Sequence, residues 1–208
     1  MRNIALTTII LFVSLNLFSQ NKIKNQQKIW YGVDFSNAYL IGDYGFRHPE
    51  ILNKEFKKLN FKIVNEVNKY QLDRTFYQRN IIFDFSQIFN NFDKIDFAKN
   101  IKPETVDSKF TFDDLQKIIK NYNFTDKNKI GIIYIVEELN KITETSTVDI
   151  VYFDTTTKKI ISAKRYKGRA SGIGIASHWA NSIARINFKI RANNRMQVTQ
   201  NKIKTIDL

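Results

Sequence analysis

Three glycines near the C-terminus form the pattern in this sequence that comes closest to a ligand-binding motif. Gly168, Gly172 and Gly174 lie between a predicted strand and a predicted helix, where glycine-rich loops can cradle phosphates. Gly174 is followed by Ile175-Ala176-Ser177, so a serine stands where the dinucleotide-binding fingerprint has its third glycine, and no Gly-Lys-Ser/Thr ending of a P-loop is present. Packing of the backbone against the sheet is the interpretation we favour, and contact with a ligand is the alternative.

The helix that follows these glycines carries a row of polar side chains. His178, Asn181, Arg185 and Lys189 are three or four residues apart, so they share one face. A helix N-terminus with added cations can hold phosphate or carboxylate. An ordinary solvated face is the interpretation we favour, and a binding module for an anionic ligand at the Gly168–Arg185 corner is the alternative. The candidate ligand-binding residues are Lys167, Gly168, Arg169, Gly172, Gly174, His178, Asn181 and Arg185.

Residues with nucleophilic or acid–base chemistry are few. The chain has no cysteine and two histidines, which excludes thiolate catalysis, Cys-ligated zinc, iron–sulfur clusters and a histidine-rich metal centre. Neither Ser171 nor Ser177, the serines nearest a histidine, lies in a Gly-x-Ser-x-Gly motif. Aspartates on or beside predicted strands would pair only if two strands aligned them; these are Asp34, Asp84, Asp149 and Asp154. We therefore predict no catalytic residue, no metal and no cofactor, and a hydrolase-type enzyme is the third interpretation.

Several predicted elements must position these residues. The first is a strand from Ile29, where residues of the two faces alternate, and it can extend to Ile41. Pro49 opens a helix whose apolar residues from Leu52 to Tyr70 step by three and four. Alternation predicts a second strand over residues 81–89, followed by an irregular surface segment over residues 90–109. Thr111, with Asp114 three residues on, resembles a capping box and begins a short helix.

The C-terminal half is patterned more clearly. Strands are predicted over residues 130–136, 147–153 and 159–166, with connections short enough for an antiparallel meander. The final helix carries an apolar stripe, on which Trp179 is predicted to be buried. These elements predict an α+β fold: an antiparallel or mixed sheet of about five strands with helices packed on one face, ending in the three-stranded meander and a helix.

The N-terminus has the pattern of a secretory signal peptide. One arginine, an apolar stretch from Ile4 to Phe18 and a small residue at Ser19 predict a signal over residues 1–19, and an uncleaved anchor is the alternative. We expect a flexible arm over residues 20–28, one domain over 29–192, a basic tail over 193–208 and no membrane span in the mature chain. The chain is thus expected in the periplasm or outside the cell.

The excess of positive charge indicates which classes of partner the protein could bind. The formal net charge is +13, from 33 Lys and Arg against 20 Asp and Glu. For an exported chain, envelope proteins or anionic envelope polymers and lipid head groups are better candidates than nucleic acid. The lysines are scattered, so compositional bias and solubility are the simpler explanation of the charge. The function we expect is that of an exported, non-catalytic envelope protein acting through protein or polymer contacts.

Short motifs also resemble a group of small, uncharacterised secreted or periplasmic bacterial envelope proteins with signal peptides. They are the early strand Tyr31–Ser36, the run Val151–Asp154, the spaced glycines Gly172 and Gly174, and His178-Trp179-Ala180. The resemblance covers most of the mature chain and implies export to the envelope. The group has no established activity, so the resemblance supplies no catalytic residue.

Cleavage of the signal peptide gives a direct test of export. The mature chain is expected to begin between Ser19 and Lys22, because polar residues start where the apolar run ends. N-terminal sequencing of the protein purified from its native envelope checks this, and an intact Met1 on that material would contradict it.

Overall fold

The sheet is built around one long apolar strand that has neighbours along both edges. In this computed structural model, which describes residues 26–106 and 110–206, the strands form a single seven-stranded sheet. They are β1 (Lys28–Asp34), β2 (Tyr39–Ile41), β3 (Ile82–Phe83), β4 (Ile101–Lys102), β5 (Ile130–Asn140), β6 (Thr145–Asp154) and β7 (Ile160–Arg169). The predicted signal peptide and most of the predicted arm, residues 1–25, lie outside the described residues. The end of that arm is bonded to the domain, since Gln27 Nε2 donates to the Asn80 carbonyl at 2.6 Å.

Strands β1 and β2 lie one after the other along the same edge of β5, and both run parallel to it. Strand β3 is parallel to β1, and β4 is parallel to β2. On the other edge, β6 is antiparallel to β5 and β7 is antiparallel to β6. The predicted α+β class, with an antiparallel or mixed sheet of about five strands, is therefore wrong, because the N-terminal strands form an α/β-like parallel arrangement. Helical crossovers return the chain to the same end of the sheet before β3, β4 and β5, which parallel pairing requires.

Six α-helices accompany the sheet within the described residues. They are α1 (Leu52–Asn65), α2 (Val67–Tyr70), α3 (Leu72–Phe76), α4 (Ser86–Phe92), α5 (Phe112–Asn121) and α6 (Ile175–Ile206). The helix predicted from Leu52 to Tyr70 is interrupted at Glu66. The strand predicted over 81–89 ends at Phe83, because the Asp84 carboxylate accepts from the Ser86 backbone N–H and turns the chain into α4. No helix within the described ranges combines the length and apolar character needed to cross a membrane.

Helices cover both faces of the sheet. On one face, the Tyr134 hydroxyl of β5 donates to Asn187 of α6 at 2.7 Å. On the other face, the ring of Phe153 in β6 packs at 4.7 Å on Phe124, which follows α5. Tyr134 pairs with Ile150 of β6, so their side chains point to the same face. Successive residues of a strand alternate between faces, and Phe153 is three residues after Ile150, so its side chain points to the opposite face. The prediction that helices pack on one face is therefore wrong, and coverage of both faces is typical of parallel sheets.

The predicted cap of helix α5 is confirmed. The Thr111 hydroxyl accepts from the Asp114 N–H at 3.2 Å, and the Asp114 carboxylate accepts from the Thr111 N–H at 3.0 Å. Further along the helix, the Gln116 amide donates to the Lys158 carbonyl at 2.8 Å and accepts from the Ile160 N–H at 3.0 Å. Cap and amide together fix α5 against the β6–β7 turn, and a cap of this kind stabilises a helix by about 1 kcal/mol.

Helix α6 approaches strand β7 so closely that no side chain fits between their backbones at Gly168. A Cβ there would lie 2.4 Å from the carbonyl oxygen of Ser182, so glycine is required. Nearby, the Ser146 hydroxyl donates to the Ser182 hydroxyl at 2.7 Å. The helix continues to Ile206, through most of the segment predicted as a basic tail.

The predicted burial of Trp179 is confirmed. Only 2% of this residue is exposed, and its ring is stacked on Phe46 at 6.0 Å. Ile183, Ile186 and Ile190 continue the buried stripe along α6. The 3.6-residue period of the sequence therefore identifies the face of the helix that meets the core.

Truncation of Trp179 tests this packing. The Trp179→Ala variant is expected to lose about 3–5 kcal/mol in the free energy of unfolding, because it leaves a large cavity in the core. Phe188→Ala, on the same helix but at a 66% exposed ring, is the matched control and should change that free energy little. Denaturant unfolding measures both, and equal stability of the two variants would contradict the assignment.

Candidate anion-binding site

A positively charged groove lies along one side of helix α6, and it includes three of the residues predicted from sequence. Arg169 lines the groove from the end of β7. Asn181 and Arg185 line it from successive turns of α6. The Asn181 amide donates to the Ser171 carbonyl at 2.7 Å, which ties the loop after β7 to the helix. The groove therefore forms where strand, loop and helix meet.

The groove has a volume of about 630 Å³ and five cationic side chains. The set of lining residues is Lys69, Arg169, Ser171, Asn181, Ala184, Arg185, Phe188, Lys189 and Arg191. None of these described lining residues is an aspartate or glutamate. Lys69 comes from α2, far away in sequence, so three separate segments bring positive charge to one place.

Hydrogen bonds to uncharged oxygens hold two of these cations in place. Lys189 Nζ donates to the Lys167 carbonyl at 2.6 Å. Arg191 Nη1 donates to the Thr75 hydroxyl at 3.0 Å and to the Tyr70 carbonyl at 3.4 Å. These hydrogen bonds fix the positions of the Lys189 and Arg191 side chains.

The other three cations differ in their pairing. Lys69 Nζ lies 3.4 Å from the Glu66 carboxylate and 5.3 Å from the centre of the Tyr70 ring. Arg169 and Arg185 are exposed, and within the described part of the chain neither forms an ion pair. A guanidinium without a carboxylate partner can offer its planar fork of donors to an incoming phosphate or carboxylate.

The structure places His178 outside the groove, although its spacing predicts the same face as Asn181. His178 is 9% exposed, and its Nε2 lies 2.6 Å from a carboxylate oxygen of Glu144. Lys141 Nζ lies 2.7 Å from the other oxygen of Glu144. Burial works against the charge of Glu144, yet the Lys141 hydrogen bond and the charge of His178 lower the pKa of its carboxyl. His178 therefore fastens α6 to the β5–β6 turn.

Lys167 and the three predicted glycines do not line the groove, but they determine the shape of the backbone beside it. Gly168 admits the close approach of α6, and Lys167 supplies the carbonyl that accepts from Lys189. Gly172 has a φ of 107°, and a Cβ there would lie 3.0 Å from the Asn181 amide nitrogen. Gly174 also has a positive φ, 79°, with open space around it. These residues shape the loop beside the groove.

Sequence reasoning missed Lys69, Lys189 and Arg191 as site residues. Lys189 lies on the predicted polar face, four residues after Arg185, so the helical period contains a signal for it. Arg191 lies on the same helix, three residues after Phe188 and seven after Ala184, and hydrogen bonds to Thr75 and Tyr70 hold it. Lys69 has no such signal, because it meets the groove only where α2 packs beside α6, and that contact is tertiary.

A second polar site lies at the carboxyl end of β1, where parallel strands often bind ligands. Asp34 is fully buried there, and its carboxylate accepts from the Tyr122 hydroxyl at 2.5 Å and from the Ser36 N–H at 2.9 Å. Burial raises the pKa of the Asp34 carboxyl, and the hydrogen bonds from Ser36 and Tyr122 counteract part of that rise. The adjacent pocket of about 370 Å³ is lined by Ser36, Asn37, Asn91, Lys94, Ile95, Ile118, Asn121 and Tyr122. Asp34 itself does not line the pocket, so its role is to hold Tyr122.

Two strands do align a pair of carboxylates, at Glu137 of β5 and Asp149 of β6. Both are ion-paired with Arg165, at 3.0 Å and 2.9 Å. Burial raises the pKa of Glu137, against the opposing charge of Arg165, and burial likewise raises that of Asp149. Because the guanidinium bridges both acids and also donates to the Phe110 carbonyl, the cluster holds α5 to the sheet.

Comparison of the sequence with protein-family models and with curated proteins finds no match.

The pH dependence of stability tests the buried Asp34 carboxyl. Its pKa is raised on folding, so the folded state binds the proton more tightly, and stability falls as pH rises from the unfolded pKa through the folded one. As the pH rises above about 4, the ordinary value for an aspartate, wild type should lose more stability than Asp34→Asn, which has no proton to lose there.

Denaturant unfolding at each pH gives the comparison. Asp113→Asn, at an exposed aspartate in the first turn of α5, is the control and should follow wild type. Parallel stability curves for wild type and Asp34→Asn would show that this carboxyl does not titrate differently in the folded state.

Proposed function

We propose that this protein is a non-catalytic binding protein of the cell envelope that holds anionic groups in the groove along helix α6. The observation that carries the proposal is the meeting of five cations from α2, β7 and α6 in a groove whose described lining contains no carboxylate. The chemical groups that fit are phosphate, sulfate and carboxylate.

The repulsion among these cations supports a binding role over an ordinary solvated face. Like charges held close together destabilise a fold, and solvated basic surfaces relieve this by interspersed acids. Several lysines elsewhere in the described chain have such partners, as Lys62 does with Glu66 at 2.5 Å and Lys129 with Asp126 at 2.6 Å. In the groove, Lys69 has such a partner in Glu66, whereas Arg169 and Arg185 form no ion pair within the described part of the chain. A bound anion would remove the remaining repulsion.

Binding is preferred over catalysis because of the side chains available. Among the described lining residues there is no histidine, aspartate or glutamate to act as a general acid or base at neutral pH. Ser171 is the one hydroxyl in the set, and no base accompanies it there. The site is thus suited to hold an anion rather than to transform it.

Location in the envelope belongs to the same proposal. It rests on the signal-peptide pattern of residues 1–19 and on the resemblance to secreted envelope proteins. In that compartment, phosphate-bearing polymers and lipid head groups are abundant anionic surfaces.

Thermal unfolding in the presence of phosphate, sulfate and pyrophosphate tests the anion site. At one hundred times its dissociation constant, a ligand stabilises the folded state by about 2.7 kcal/mol, which raises the melting temperature of a domain this size by about 5–10 °C. Wild type should show this shift, and the double variant Arg169→Ala, Arg185→Ala should lose most of it.

The matched control removes the same charge elsewhere. Arg47→Ala, Arg79→Ala takes away two exposed guanidinium groups that do not line the groove, and it should keep the wild-type shift. Equal shifts in all three proteins would mean a general salt effect and would overturn the proposal.

A further inference from the structure

The loop beside the groove carries an apolar side chain that nothing covers. Ile173 is 96% exposed, the most exposed of the large apolar residues in the described chain. It stands between Gly172 and Gly174, whose φ values of 107° and 79° bend the backbone at both flanks. A turn this short holds the isoleucine away from the domain, where it gains no packing energy in the free protein.

A second exposed apolar side chain lies within the groove itself. Phe188 is 66% exposed on helix α6, and it lines the groove together with Arg185 and Lys189. Ser171, two residues before Ile173, lines the same groove. A Cβ at Gly172 would also lie 3.0 Å from the Asn181 amide, so the loop tip adjoins one end of the groove and Phe188 lies about two helical turns further along it. This side of α6 therefore combines exposed apolar groups with the cations Arg169, Arg185 and Lys189.

The geometry points to a membrane-docking surface: Ile173 and Phe188 enter the interface of an anionic lipid bilayer while Arg169, Arg185 and Lys189 bind the phosphates of its head groups. This inference rests on the proposed anion site and names its ligand as lipid phosphate within a bilayer. The surface consists of these five residues and is called the docking surface below.

The apolar residues distinguish a bilayer from a soluble anion. A free phosphate or a polymer of sugar phosphates satisfies the cations and leaves Ile173 in water. A bilayer interface takes up both kinds of group, since apolar side chains enter the boundary of the acyl chains and basic side chains remain at head-group depth. The attraction of basic residues to an anionic leaflet and the insertion of apolar residues both contribute to the binding free energy. Stable peripheral binding requires two such contributions.

Vesicle sedimentation tests the two signals separately. Wild type should bind phosphatidylcholine vesicles that contain phosphatidylglycerol, and binding should weaken strongly in vesicles of phosphatidylcholine alone and at high salt. Ile173→Ser and Phe188→Ser should each reduce binding about tenfold, because each removes one inserted apolar side chain. Both positions are exposed, so neither change should unfold the domain. Phe112→Ser, at a 56% exposed ring on α5 across the sheet, is the matched control and should bind as wild type does.

A fluorescent reporter locates the insertion. Trp30 and Trp179, the two tryptophans of the chain, are buried, so a tryptophan introduced at an exposed position dominates any change that lipid causes. Ile173→Trp should shift its emission to shorter wavelength when phosphatidylglycerol-containing vesicles are added. Phe112→Trp should show no shift.

The outcomes separate this inference from the proposed function. If inorganic phosphate stabilises wild type through Arg169 and Arg185 but the vesicles do not bind, the docking surface is overturned and the anion site stands. If vesicles bind equally well without Ile173 and Phe188, attachment is electrostatic alone and insertion is overturned. If neither phosphate nor vesicles bind, both proposals fail. Loss of vesicle binding in the serine variants with an unchanged phosphate response supports the docking surface.

Discussion

The close contact of helix α6 with strand β7 at Gly168 is the constraint on which the groove depends. With a carbonyl oxygen only 2.4 Å from where a Cβ would lie, any side chain there would force the two backbones apart. That contact, together with the Tyr134–Asn187 and Ser146–Ser182 hydrogen bonds, sets the position of the helix on the sheet. Arg169 is next to Gly168 in sequence, so the same contact places its guanidinium beside the helix.

Burial on one side of α6 allows charge to gather on the other. Trp179, Ile183 and Ile186 are buried against the sheet and α1, and burial of a side chain of this size contributes about 1.5–3 kcal/mol. Exposed like charges repel each other by much less in water. The packing therefore holds Arg185 and Lys189 next to Arg169 against their repulsion, and that unrelieved repulsion makes the groove receptive to anions.

Local patterns in the sequence predict the parts of the fold that local interactions determine. The Thr111 cap and the buried face of α6 follow from spacing within one helix, and the short turns before β6 and β7 favour the antiparallel pairing that these strands have. The strand predicted over 81–89 fails because its alternation continues past a turn fixed by Asp84. The parallel pairing of β1 with β5 joins residues about a hundred positions apart, so no local pattern contains it.

In the candidate site too, local spacing predicts some residues, and tertiary contacts bring in the others. Asn181 and Arg185 follow from helical spacing, whereas Lys69 joins them through the packing of α2 on α6, and the partner Thr75 of Arg191 comes from α3. His178 has the right spacing, yet a carboxylate in the β5–β6 turn takes it away from the groove. Asp34 shows the same limit, because its phenolic partner Tyr122 lies 88 positions later in the chain. Side-chain chemistry can be read from sequence, but the partners that decide its use are set by tertiary contacts.

The most direct measurement of the central claim is amide chemical-shift mapping while inorganic pyrophosphate is added to the isotopically labelled protein. If the groove along α6 is the anion site, the largest perturbations will fall on Ser171, Asn181 and Arg185, saturate together and disappear in the Arg169→Ala, Arg185→Ala variant. Perturbations that centre instead on another basic surface, such as Lys54, Lys57 and Lys58, or that grow without saturation over the whole chain, would contradict the account.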